Sequence, residues 1–142
     1  MRGYDGHKRV KGRKRQLIVD TLGLPIRVLV QAANISDVGG GRDVLRRLPW
    51  TPRLTTIRVD QAYNSPALAH WCETVLGCTL DVSQPADTSS FVIHKGRWVV
   101  ERTFAWFGRY RRLSKDYEQS CSMSEATIYI ASIHLLLRRL AR

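Results

Sequence analysis

A chain of 142 residues with 44% hydrophobic composition holds one core of ordinary size and leaves no length for a second full domain. Its 23 Lys and Arg stand against 12 Asp and Glu, a formal charge of +11, which favours a polyanionic partner, nucleic acid first, over a charge that serves only solubility. No run approaches the roughly 18 to 20 uncharged apolar residues of a membrane span, and the basic amino terminus lacks the apolar run of a signal peptide, so a cytoplasmic protein with no membrane partner is expected.

Residues 1–15 carry seven Lys or Arg and three Gly, and read as a basic arm, with Lys8, Arg9, Lys11, Arg13, Lys14 and Arg15 as phosphate-binding candidates. Residues 16–142 form the folded domain. QLIVD from Gln16 and IRVLVQAA from Ile26 are two strands rich in branched residues, joined through the turn residues TLGLP as a hairpin. The passage SDVGGGRD follows no strand-to-helix phosphate fingerprint, so its three glycines read as a loop ahead of a short, late-starting helix. TTIRVD is a third strand that ends on Asp60. Asn64 or Ser65 is a natural cap, with Pro66 at the first helical position and Gly77 as the stop of an amphipathic helix. CTLDV gives a fourth strand, and a polar linker leads to FVI. The order is that of an α/β mixed sheet with flanking helices.

Two helices close the chain. The first is expected over Arg97–Leu113 and is basic and aromatic. The second is announced by Ser122 and Glu125 as a capping box. Its Ala126, Ile130, Ile133, Leu137 and Leu140 form one apolar stripe that is expected to cover the sheet, with a coiled-coil partner as the lesser reading. Cys72, Cys78 and Cys121 are odd in number and lack CxxC spacing. Reduced thiols are therefore expected, and a zinc site from His70, Cys72 and Cys78 matches no recurrent ligand spacing.

Two carboxylates stand out. Asp60 lies at the carboxyl end of a strand, where α/β sheets gather ligands, although such an Asp also serves commonly as a turn former. Glu101 lies in a helix crowded with Val, Trp and Phe, one turn after Arg97. An i,i+4 ion pair is the ordinary reading, and a carboxylate presented to a metal with Arg97 and Arg112 holding phosphate is the functional one.

The run GYDGHKRVKGRKRQLIVDTLGLPI, the strand end RVDQAYNS, and above all RWVVERTFAWFGRYRRLSKDYE resemble the insertion-sequence transposases of the IS5/IS4-like group, which use an Asp, Asp, Glu set; the likeness spans nearly the whole chain. The resemblance implies a ribonuclease-H-like fold. It also implies two Mg²⁺ (or Mn²⁺) ions held by three carboxylates, and phosphodiester cleavage and strand transfer at terminal inverted repeats. Asp60 corresponds to the second carboxylate and Glu101 to the third. Gln61 and Ala62 replace the family's usual glycine pair, Tyr63 is retained, and His94 stands where many members have Tyr. Arg97, Arg109 and Arg112 join the expected DNA-binding set. The family's first strand and first Asp lie upstream of GYDG, and neither Asp5 nor Asp20 takes that place. A truncated domain, inactive or nearly so by itself, is therefore expected.

Expected partners are double-stranded DNA, both element ends and target, and a homo-oligomer or a mixed oligomer with a full-length transposase. The expected location is the bacterial cytoplasm, at the nucleoid when bound to DNA. A non-catalytic DNA-binding fragment or regulator is the alternative function, and a basic structural or ribosome-associated protein a third.

Overall fold

The computed structural model describes residues 2–6, 8–49, 51–83 and 98–141. Strands β1 (Gly3–Asp5), β2 (Val10–Val19) and β3 (Pro25–Ala32) form an antiparallel sheet in that order. The strand expected from Gln16 thus begins at Val10, and the expected arm supplies β1 and the first part of β2. Distant partners explain this, because carbonyls accept hydrogen bonds from the arm's cations inside the fold and two carboxylates offset their charge. Arg13, with only 2% of its side chain exposed, pairs with Asp116 at 3.0 Å and donates to the carbonyls of Glu118 and Gln119 at 2.9 and 2.6 Å. Lys14 donates to the Ile35 carbonyl and to Asp37, each at 3.1 Å, and Arg15 to the Leu113 carbonyl at 3.0 Å.

Helix α1 (Asp37–Arg46) is capped by Ser36, whose hydroxyl accepts from the Gly39 amide. The three glycines are therefore not a loop; they form the first turns of α1. Two of them let the helix press onto its neighbours. A Cβ on Gly40 would stand 2.0 Å from the Gln31 amide nitrogen, and one on Gly41 2.7 Å from the Tyr63 ring.

Strands β4 (Thr56–Val59) and β5 (Thr79–Val82) pair in parallel, connected by α2 (Pro66–Trp71) and its wider continuation Cys72–Leu76. Of the two candidate caps it is Ser65 that accepts from the Leu68 amide, and Gly77 ends the helix at φ 65°, a left-handed conformation suited to glycine. The described strands therefore make two sheets, one antiparallel and one parallel, with four helices, a mixed α/β architecture compatible with the ribonuclease-H-like fold.

Alternation along β2 separates two cores. Leu17 packs with Val28, Val30, Phe107, Leu113 and Ile128, whereas Ile18 packs with Leu45, Leu68, Cys72 and Leu80. The second core holds two of the cysteines side by side. Burial pushes the Cys72 thiol up to about 11, and Cys78 rises for the same reason.

Helix α3 (Val99–Gly108) stops short of the expected Leu113. Tyr110 is extended at ψ 117°, and a separate 3-10 turn spans Arg111–Leu113, so Arg112 does not share a helix with Glu101. Helix α4 (Cys121–Leu140) is capped by Ser120, not Ser122. Glu125 accepts from the Val30 amide at 2.8 Å, and Tyr129 hydroxyl from the Val28 amide at 3.0 Å. These two bonds decide which face of α4 turns inward. Ser124, Ile128, Ala131 and Ser132 are buried, and the stripe of Ala126, Ile130, Ile133, Leu137 and Leu140 is exposed, the reverse of the expectation.

Candidate active site

Asp60 follows the last residue of β4 and caps a 3-10 turn, Gln61–Tyr63, accepting from the Ala62 amide at 2.9 Å. The turn is tied on three sides. Gln61 donates through its side-chain amide to the Ser83 carbonyl beyond β5 at 2.6 Å, a bond unavailable to the glycine that the family resemblance leads one to expect. Tyr63 hydroxyl donates to the side chain of Gln16 in β2, which is itself buried. The Tyr63 ring rests against Gly41 of α1. Burial first, and then the negative charges of Asp37 and Asp60, push the Tyr63 hydroxyl up to about 12. Asp60 itself is exposed.

Glu101 lies in the first turn of α3 and is also exposed. The residues after it fix the helix to the β2–β3 turn. Arg102 donates to the Leu22 carbonyl at 2.9 Å, and Thr103, fully buried, donates to the Gly23 carbonyl at 2.8 Å. Gly23 has φ +80°, and a Cβ there would stand 2.9 Å from the Thr103 hydroxyl, so close approach and backbone conformation both call for glycine. On the outer side, the Arg102 guanidinium lies 4.3 Å from the Trp98 ring centre and 5.0 Å from that of Trp106, which Arg139 approaches at 4.5 Å from α4. Phe107 fastens the same helix to the core from beneath.

Each carboxylate is thus presented outward from an anchored element. Among the described residues no hydrogen bond or ion pair joins them, and no group of three or more His, Cys, Asp and Glu is arranged to hold a metal ion. The donor type suits a hard divalent cation such as Mg²⁺ or Mn²⁺. Asp60 has a second carboxylate oxygen beyond the one used by Ala62.

Arg97 and His94 lie outside the described residues, and with them the Arg97–Glu101 pair. Of the expected phosphate binders, Lys8, Arg9, Lys11 and Arg109 are exposed. Arg13, Lys14 and Arg15 are committed to interior partners, and Arg112 bonds the buried carboxylate of Glu118 at 3.0 Å while most of its side chain stays in solvent. Asp5 is buried in β1 beside Lys14, at 3.7 Å, and Asp20 accepts from the Leu22 and Leu24 amides as a turn former. Sequence reasoning missed Gln16, Gly41, Thr103 and Gly23 as supports of the two carboxylates. The one signal for the first was a glutamine opening an apolar strand.

A family model described as the transposase DDE domain matches residues 1–136. No curated protein and no solved structure matches the chain.

Proposed function

Because the chain belongs to the transposase DDE-domain family, we propose that it is the catalytic-domain portion of an insertion-sequence transposase, with Asp60 and Glu101 as two of the three carboxylates that hold divalent cations. The observation that carries this reading is the placement of both residues, each exposed at the edge of an element whose neighbouring side chains are fixed by buried bonds. Asp60 and Glu101 would help to hold Mg²⁺ or Mn²⁺, which would supply Lewis-acid activation of an attacking oxygen and charge stabilisation of the leaving oxygen at a phosphodiester.

The chain's own part is to orient and bind. Gln61 and Tyr63 hold the Asp60 turn between β5 and β2, and Arg102 and Thr103 hold the helix that presents Glu101. Lys8, Arg9 and Lys11 on the β1–β2 connection and strand start, with Arg109 after α3, are proposed to meet DNA phosphates, Arg97 and Arg112 adding to them. Phosphate contacts of this kind position the duplex without reading sequence.

Asp60 and Glu101 are fewer ligands than the family's set of three carboxylates, so these two residues by themselves are proposed to support little or no strand transfer. The exposed cations favour a second reading, a DNA-binding fragment that regulates a full-length relative. One experiment separates them: duplex carrying the element ends is incubated with the chain in Mn²⁺, and binding is titrated at several salt concentrations. An enzyme yields nicked or joined product that vanishes in Asp60→Asn and in Glu101→Gln. A regulator yields no product, but binding that survives both substitutions and falls steeply with salt. Absence of both product and duplex binding would remove DNA from the account altogether.

A further inference from the structure

Helix α4 carries an apolar stripe that nothing in the described fold covers. Ile130 is 68% exposed, Ile133 56%, Leu137 59% and Leu140 83%, and Met123 extends the row at 50%. With Ala126 the positions step by 3, 4, 3, 4 and 3 residues, the spacing of a two-helix seam. The face opposite is the one already occupied, by β3 and the first core. Scattered exposed apolar residues are ordinary, but an aligned row along a whole helix marks an interaction site.

We propose that this stripe pairs antiparallel with the same stripe of a second copy of the chain. Three observations select that occupant and that direction. The flanking positions Thr127, Tyr129, His134 and Leu136 carry no formal charge, although the chain as a whole is +11; a polyanion finds nothing there to bind, and a second copy meets no repulsion along the seam. A twofold axis between Ile130 and Ile133 then aligns every layer. Ile130 faces Ile133 of the other copy, Ala126 faces Leu137, and Met123 faces Leu140, so the small residue meets a large one. Parallel pairing would set Ala126 against Ala126 and leave a void. Antiparallel pairing also keeps Arg138 and Arg139 of the two copies at opposite ends, and it aligns the two helix dipoles head to tail, whereas parallel pairing would set like ends side by side.

The seam is about 27 Å long and roughly 10 Å wide. That is less than the roughly 800 Å² per partner of a standard interface, so the dimer is reversible and concentration-dependent.

The test is sedimentation equilibrium of the full chain, with far-ultraviolet circular dichroism as the check that α4 persists in each variant. Wild type is expected to shift from monomer to dimer with concentration. Ile133→Lys alone and Ile130→Glu alone each remove it, raising the dissociation constant by about a hundredfold or more. Mixing those two variants restores a dimer, because only antiparallel pairing sets the introduced lysine of one chain against the introduced glutamate of the other. A monomeric wild type at all concentrations overturns the proposal, as does a dimer indifferent to Ile133→Lys. Loss of the dimer without rescue on mixing overturns the antiparallel register.

Discussion

Asp60 and Glu101 are both exposed carboxylates, yet they stand on different kinds of support. The Asp60 turn is held from within by a chain of polar contacts, Tyr63 to Gln16 with Gly41 closing on the ring, where there is no spare volume. The Glu101 helix is held by one buried aromatic ring and by two hydrogen bonds to a hairpin turn, and its outer side is dressed with stacked Trp and Arg groups. The first support depends on fit and polar satisfaction, so its failure modes are crowding and an orphaned amide. The second depends on apolar burial, with a graded outer layer that can be weakened stepwise.

The widest test of that contrast is Phe107→Ala. Phe107 is 2% exposed, and its truncation should cost about 3–5 kcal/mol in urea unfolding, releasing α3 from the core while leaving the Asp60 turn intact. Next comes Gly41→Leu, which drives a side chain into the Tyr63 ring and should cost about 1–3 kcal/mol. The hydrogen exchange of residues 60–64 should rise in that variant and not in Phe107→Ala.

Tyr63→Phe is a finer cut, leaving the buried Gln16 side chain short of a donor at a cost of about 1–2 kcal/mol near neutral pH. It also has a pH signature. The folded chain keeps the phenol protonated to about 12 whereas the unfolded chain loses that proton near 10, so stability is full below pH 10 and falls as pH rises toward 12. The Phe variant should lose that part of the alkaline slope, while the raised thiol of Cys72 keeps its own share. The smallest effect belongs to Arg102→Gln, which removes the contacts to Trp98 and Trp106 together with the solvent-side bond to the Leu22 carbonyl, and should cost about 1 kcal/mol by chemical denaturation, with no change in the alkaline slope.

The elements that local chemistry dictates were legible in the sequence. Ser65, Pro66 and Gly77 mark the start and end of one helix, and the branched run IRVLV marks β3. Asp60 was legible as a strand-end residue for the same reason. What distant partners decide was not. Arg13 reads as a solvated cation until carbonyls of residues 118–120 surround it, more than a hundred positions away. Glycines 39–41 read as a loop because glycine disfavours helices, but here the missing side chains are what allow α1 to settle on Gln31 and Tyr63. For α4 the apolar period identified a real stripe and assigned it to the wrong side, since periodicity ranks faces by hydrophobicity and takes no account of unpaired amides on a strand. At the site, Glu101 and its motif were visible, and the hairpin turn that steadies α3 was not, because Leu22 and Gly23 lie some eighty residues away.

Glu125 and Tyr129 have a consequence for how the chain reaches this structure. Among the described strands β3 is the outer one of its sheet, and the amides of Val28 and Val30 receive their partners from α4, the last of the described elements to emerge during synthesis. Until that helix docks, the nascent chain displays an apolar strand with unsatisfied donors, the kind of border that recruits other extended chains into aggregates. The carboxyl-terminal helix thus works as a late-arriving guard rail, and the interval before its arrival is when holdase chaperones have the most to protect.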